Sequence, residues 1–166
     1  LAVISLVYTT NRSFLLLYPD IEQKTKYSSS SIYIFYSILV LNLLLAFSGS
    51  FIRTFLDNSD LIIYSHRMTE YLENIGLVKF LHPILGFSML ILCAILWNHI
   101  MNISQSSKAV KTLVKLLLFL IGMQILIGEG LRFSIIHESF RLYHLWLSTV
   151  ILGMIIVGIQ RIKFSK

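Results

Sequence analysis

The sequence predicts an all-α, polytopic membrane protein: a bundle of four transmembrane helices built as a two-fold repeat of a helix pair. The 166-residue chain is 56% apolar and only 13% charged, a balance that soluble domains do not show. Four apolar runs are each long enough to cross a bilayer as a helix, which takes about 20 residues. Short motifs around the first two runs return around the last two, which indicates an internal duplication.

Short polar connectors divide the chain into its predicted elements. The apolar residues 1–10 are too short to cross a bilayer alone, so they are predicted to be the end of a preceding span. Residues 1–31 are predicted to hold that span end and a cytoplasmic linker, residues 32–162 the bundle, and residues 163–166 a cytoplasmic tail. The serine-rich tracts at 28–31 and 104–107 are interpreted as loops or helix starts. The predicted spans are residues 32–56, 77–101, 109–131 and 140–160.

Lysine and arginine are distributed unevenly between the two sides of the predicted bundle. Nine of the 14 fall on the side of the 12–31 segment, the 102–108 connector and the C-terminus, which makes that side cytoplasmic, or matrix in a mitochondrion. The net charge of +6 then reflects topology and contact with anionic membrane lipid, and nucleic acid is not an expected partner. The predicted location is a prokaryotic cell membrane or the mitochondrial inner membrane. The single cysteine, Cys93, excludes a disulfide within the chain.

Two histidines, His82 and His144, each open a long apolar run, and each is followed four residues later by a small residue, Gly86 and Ser148. Ionisable residues inside a membrane are costly and usually functional. Both imidazoles are expected roughly 7 Å deep, near the outer face, because each lies about five residues into its helix. Neutral imidazole is a common haem ligand, so the pair is predicted to hold one haem iron from both sides, with Gly86 and Ser148 leaving room for the porphyrin. The alternative is two packing histidines bonded to backbone carbonyls.

The helix before each histidine ends in the same Gly-x-x-x-Arg element, Gly49-Ser-Phe-Ile-Arg53 and Gly128-Glu-Gly-Leu-Arg132. Arginine pairs well with carboxylates, so Arg53 and Arg132 are candidate partners of the haem propionates. The alternative is that both side chains extend to the membrane interface. The two glycines permit close approach of a helix or of a ring.

Other polar residues lie near the predicted haem. Glu129 and Glu70 are candidate catalytic residues, because a carboxylate near the ring could move protons or stabilise a developing cation. The alternative is that these acids solvate connectors. Gln124, in the third span, is expected to hydrogen-bond across helices. The remaining histidines are interpreted as interfacial or connector residues rather than as a second haem or copper site: His66, His99 and His137.

These residues resemble the haem A synthase family. Gly49-Ser-Phe-Ile-Arg53 and Gln124-Ile-Leu-Ile-Gly128 are similar to elements that end spans in that family, and Phe80-Leu-His82 and His144-Leu to the starts of its ligand helices. The similarity covers about residues 35–160. It is closest to the family's C-terminal four-helix half, because this chain lacks the glutamate (here Lys79) and the outer-loop cysteine pair of the catalytic half. Pro83 replaces the family's usual arginine, and proline is tolerated in the first turn of a helix.

The resemblance implies an oxidoreductase that converts the C8 methyl group of haem O to the formyl group of haem A. His82 and His144 would hold a haem b that relays electrons, while the substrate haem O and the product haem A would bind in a second four-helix half or a homodimer mate. A terminal oxidase or its assembly factors are further implied partners. Two alternatives stay open: a membrane cytochrome b subunit of a respiratory complex, and an accessory or assembly subunit without a cofactor.

Overall fold

A computed structural model describes residues 2–17, 27–58, 76–104, 106–132 and 140–164, and these residues form five α-helices and no strand. Four helices contain stretches long and apolar enough to cross a membrane. The predicted all-α class and the four predicted spans are therefore confirmed, and the protein is an integral, multi-pass membrane protein. The helices are α1 (Ala2–Leu17), α2 (Ser29–Asn58), α3 (Val78–Met101), α4 (Lys108–Arg132) and α5 (Phe140–Phe164).

Helices α2 to α5 pack as a ring in which each helix contacts the next along the chain and α5 closes the ring against α2. Successive helices are antiparallel, because Gly49 and Gly128, in the second halves of α2 and α4, contact His82 and His144 near the starts of α3 and α5, and Gly86 near the start of α3 contacts Ile125 near the end of α4. As a result, α3 and α5 stand diagonally opposite each other and run in the same direction. We call the end at which α3 and α5 begin the histidine end, after His82 and His144, and the other end the serine end, after Ser28 and Ser107.

Serine side chains begin two of the helices at the serine end. The backbone N–H of Ser30 donates to Oγ of Ser28 at 3.2 Å, and that of Ala109 donates to Oγ of Ser107 at 3.2 Å. Each bond satisfies an amide that has no partner within the first turn of the helix. Ser28 and Ser107, in the two serine-rich tracts interpreted as loops or helix starts, thus directly precede α2 and α4. Tyr27 links the two starts, since its hydroxyl accepts a bond of 3.1 Å from the N–H of Ser107.

The position of Pro83 differs from the sequence expectation. The carbonyl of Leu77 accepts bonds from the N–H groups of Phe80 and Leu81, at 3.1 and 3.0 Å, so the first turn of α3 forms ahead of the histidine. Pro83 is therefore the sixth residue of α3 and lies inside the helix rather than in its first turn. It has no N–H to donate to the carbonyl of Lys79, one turn earlier.

Helix α1 packs against α5, outside the ring, and is longer than the apolar run at residues 1–10 suggested. It continues through Asn11 and Arg12 to Leu17. The amide of Asn11 donates to Oε1 of Gln160 on α5, and Nε2 of Gln160 donates to the carbonyl of Tyr8 at 3.0 Å. Gln160 is only 2% exposed, so α1 supplies the partners of a polar group that would otherwise be buried in an apolar bundle.

The close-packed core of the bundle lies toward the serine end. It includes Cys93, the single cysteine of the chain, which is fully buried on α3. Gly158 on α5 packs against the ring of Phe35 on α2, and a Cβ added to it would lie 2.6 Å from Cζ of Phe35. Only glycine leaves room for this ring. The core consists of Phe35, Ile38, Met89, Cys93, Leu96, Ile100, Val110, Val114, Leu117, Ile121, Ile151, Ile155 and Ile162.

Candidate functional site

His82 and His144 occupy equivalent positions in the fold. Each is the fifth residue of its helix, α3 or α5, so each lies about 7 Å along the helix axis at 1.5 Å per residue. The two helices are diagonal partners that run in the same direction. The histidines therefore lie at the same end of the bundle and at similar depth, as the duplicated sequence pattern predicts.

Each imidazole lies edge-on against the glycine of a repeated Gly-x-x-x-Arg element. A Cβ added to Gly49 would meet Cε1 of His82 at 3.3 Å and its Nδ1 at 3.9 Å. A Cβ added to Gly128 would meet Cε1 of His144 at 3.1 Å and its Nδ1 at 3.7 Å. The same glycine–histidine contact is thus made twice, once between α2 and α3 and once between α4 and α5. The two sequence motifs that repeat along the chain meet each other in space.

Ser48 on α2 contacts Nδ1 of His82. Oγ of Ser48 lies 2.8 Å from Nδ1 of His82 and 3.0 Å from the carbonyl oxygen of Leu45. A carbonyl can only accept, so when the hydroxyl proton of Ser48 goes to Leu45, the hydroxyl oxygen accepts a bond from Nδ1–H of His82. The ring is then protonated on Nδ1 and carries its lone pair on Nε2. A neutral imidazole in this tautomer is prepared to bind a metal through Nε2.

His144 is held in a different way. Nε2 of Gln124 donates to the backbone carbonyl of His144 at 3.0 Å, which confirms the expected bond from Gln124 across helices. Nδ1 of His144 and Oε1 of Gln124 are buried and have no partner among the described residues. The two Nδ1 atoms thus differ: that of His82 lies within hydrogen-bond distance of a hydroxyl, and that of His144 has no described partner.

One of the two predicted catalytic acids lies beside the repeated glycine. Glu129 directly follows Gly128 on α4, the glycine that His144 contacts, and it is half-buried. Glu70 lies outside the described residues.

The small residues one turn after the histidines have different surroundings. Gly86 is buried, and a Cβ there would lie 3.8 Å from Cγ1 of Ile125 on α4. Ser148 is half-buried on α5. The contact of Gly86 is at an ordinary van der Waals distance, so Gly86 packs against α4 one turn after His82.

The remaining candidates divide between the two ends of the bundle. Arg53 is exposed on α2, one turn after Gly49, and Arg132 is the last residue of α4, with a side chain outside the described set. His99 lies near the serine end of α3, and its buried Nε2 has no partner among the described residues. It is therefore remote from the histidine pair. His66 and His137 fall outside the described residues.

The burial of side chains differs between the two ends of the described helices. At the serine end, Ser31, Ile100 and Val110 are fully buried within the first or last turns of their helices. At the histidine end, no described side chain is buried in four helix segments. Those segments are residues 43–54, 78–85, 122–131 and 140–150.

The chemistry of the histidine pair is compatible with a haem. Among the described residues, no group of three or more His, Cys, Asp and Glu side chains could hold a metal. A protein-bound zinc ion takes three or four such ligands, whereas a haem iron needs from the protein only its axial ligands. Two imidazoles on diagonal helices, at similar depth and at the less buried end of the bundle, would match that requirement.

Comparisons with protein-family models, with curated proteins and with solved structures find no match to this chain.

Proposed function

We propose that this protein is a membrane haemoprotein of the haem A synthase type, in which His82 and His144 hold a haem b between α3 and α5. The observation that carries the proposal is the duplicated contact of an imidazole with a glycine, Gly49 with His82 and Gly128 with His144. Packing alone does not require the same arrangement at two places. Two axial ligands of one iron must present their nitrogens at the same depth, and the repeated placement of the two rings meets that need.

Several residues of the chain would each contribute to binding a haem. Gly49 and Gly128 let the imidazole edges approach the preceding helices, and Ser48 leaves the lone pair of His82 on Nε2. Gln124 holds the main chain of α5 at His144. Arg53 and Arg132 would pair with the propionates, and the half-buried Glu129 could exchange a proton with a group near His82.

A haem b held by two histidines accepts and donates electrons one at a time, with no open position for a substrate. The resemblance assigns the overall activity: oxidation of the C8 methyl group of haem O to the formyl group of haem A, which adds oxygen and removes electrons and protons. The site described here would relay those electrons. Substrate haem O would bind in a second four-helix half or a homodimer mate, and the product haem A would pass to a terminal oxidase or its assembly factors.

The test of haem binding is a reduced-minus-oxidised spectrum of the full chain purified in detergent, with acid extraction of the pigment. We expect a low-spin b-type spectrum in the wild-type protein and in His99→Ala, whose imidazole lies toward the serine end. We expect its loss in His82→Ala and in His144→Ala. A wild-type protein that shows no low-spin b-type signal after reconstitution with haem would overturn the proposal.

The type of haem protein is tested in the host. If the chain belongs to haem A synthesis, a host that lacks it should lose haem A and accumulate haem O. A cytochrome b subunit needs the same histidine pair, but its removal should leave the haem A content unchanged. An accessory subunit without a cofactor should tolerate both alanine substitutions with no change in absorbance or function.

A further inference from the structure

We infer that the two halves of the duplicated unit hold their axial histidines unequally, and that Ser48 is a positioning residue that makes His82 the stronger electron donor of the pair. This inference rests on the proposed haem site. It concerns the electronic balance between the two ligands, which neither the sequence duplication nor the resemblance predicts. The evidence is the hydrogen bonding of the two Nδ1 atoms.

The two halves align on their glycines, and the alignment shows where they differ. The residue before Gly49 is Ser48, and the residue before Gly128 is Ile127. Oγ of Ser48 lies 2.8 Å from Nδ1 of His82, whereas the buried Nδ1 of His144 has no described partner. The hydroxyl is thus present in one half and replaced by an alkyl side chain in the other.

The second difference lies four residues before each glycine. Leu45 occupies this position in the first half and Gln124 in the second. Gln124 does not compensate for the missing hydroxyl, because it donates to the backbone carbonyl of His144 and leaves the ring nitrogen without a bond. Gln124 therefore fixes the main chain of α5, while Ser48 fixes the ring of His82.

A hydrogen-bond acceptor on Nδ1–H raises the basicity of the other ring nitrogen. Partial withdrawal of the Nδ1 proton moves electron density to Nε2, which binds an electron-poor metal more strongly. Ferric haem is stabilised relative to ferrous haem by a more basic axial ligand. Ser48 should therefore lower the reduction potential of the site, and its removal should raise it. Loss of such an outer-shell partner typically lowers metal affinity about 10- to 100-fold.

The geometry of the second half permits the reverse experiment. The distances from the glycine to Cε1 and Nδ1 are 3.3 and 3.9 Å in the first half and 3.1 and 3.7 Å in the second. Each ring is therefore placed similarly against its glycine. A hydroxyl at residue 127 would stand in the same register to His144 as Ser48 does to His82, and would supply the acceptor that Nδ1 of His144 lacks.

The experiment is an equilibrium redox titration of the haem-loaded full chain, together with electron paramagnetic resonance of its oxidised form. We expect Ser48→Ala to raise the midpoint potential and change the low-spin g values, and Ser48→Thr to restore both. Ile127→Ser should lower the potential. The matched control is Ser88→Ala on α3, which removes a hydroxyl bonded only to the carbonyl of Ile84 in the same helix, and it should change neither readout.

The outcomes separate this inference from the proposed function. A wild-type protein without low-spin haem refutes the haem site itself. Haem-loaded Ser48→Ala with the potential and spectrum of Ser88→Ala refutes the role of Ser48 and leaves the haem site in place. If Ser48→Ala cannot be loaded, Ile127→Ser decides: a lowered potential supports the inference, and an unchanged potential overturns it.

Discussion

The same four helices are packed differently at their two ends. At the serine end, side chains are buried up to the first and last turns, as Ile100 and Val110 show, and Gly158 admits the ring of Phe35. At the histidine end, His82 and His144 are only half-buried, and glycines line the rings. Helices in lipid associate through van der Waals packing and hydrogen bonds. The serine end should therefore provide most of the stability of the bundle, and the histidine end its binding capacity.

Substitution of either histidine should separate haem binding from stability most clearly. His82→Ala or His144→Ala removes one of the two proposed axial ligands, so we expect complete loss of the low-spin haem spectrum. The free energy of unfolding of the haem-free protein should change by less than about 1 kcal/mol, since both histidines are only half-buried. Absorbance and a denaturant titration measure the two effects. Retention of the spectrum in either variant would contradict the assignment of that ligand.

The converse variant is Gly158→Leu at the serine end. Even its Cβ would overlap the ring of Phe35, so α2 and α5 must separate. Overpacking of this kind costs about 1–3 kcal/mol, and we expect a loss of stability in that range or above. The matched control is Gly122→Ala on α4, whose Cβ would meet nothing within 4 Å. Equal stability of the two variants in a denaturant titration would show that the serine end is not the close-packed part.

Glycine-to-alanine substitutions at the histidine end should reduce binding without loss of stability. In Gly128→Ala the new Cβ would lie 3.1 Å from Cε1 of His144, and in Gly49→Ala it would lie 3.3 Å from Cε1 of His82. Each ring must shift by a few tenths of an ångström, so we expect about a 10-fold loss of haem affinity, comparable to the loss of an outer-shell contact. The loss should be larger for Gly128→Ala.

Haem titration of the three alanine variants tests this expectation, because Gly122→Ala places the same added methyl group on α4 away from both rings. Affinities of Gly49→Ala and Gly128→Ala that equal that of Gly122→Ala would mean that the glycines serve helix packing only. Haem binding would then not distinguish the glycines of the histidine end from a glycine elsewhere in the bundle.

The smallest expected effect concerns α1, which lies outside the ring. Gln160→Met removes both hydrogen bonds to α1 at similar side-chain volume. Hydrogen bonds between membrane helices contribute about 0.6 kcal/mol each, so we expect a stability loss of roughly 1 kcal/mol and unchanged haem affinity. Thr149→Val on the same helix is the control, since its hydroxyl bonds to Leu145 within α5. Weaker haem binding in Gln160→Met would show that α1 acts on the histidine end.

Much of the fold and of the site follows from local sequence signals. Apolar run length predicts the four spans, because a helix must bury about 20 residues to cross a bilayer. The spacing of His82 and His144 from the starts of their runs predicts their common depth. The bond from Gln124 across helices was also predicted, because a single amide in an apolar helix has few other ways to be satisfied.

Other features depend on contacts that no local pattern records. The continuation of α1 through Asn11 depends on Gln160, which is about 150 residues away in the chain. The role of Ser48 was missed because a serine in an apolar helix usually bonds only to its own backbone. The signal was present: aligned on Gly49 and Gly128, the preceding positions differ, Ser48 against Ile127.

The fully buried Cys93 gives the protein an intrinsic reporter. As the only thiol in the chain, it can react with a membrane-permeant maleimide only when the tight part of the bundle opens. The labelling rate therefore measures those opening events in native membranes, without an engineered probe. A substitution that abolishes the haem absorbance but leaves the labelling rate unchanged has altered only haem binding. One that raises the labelling rate has weakened the packing of the helices around Cys93.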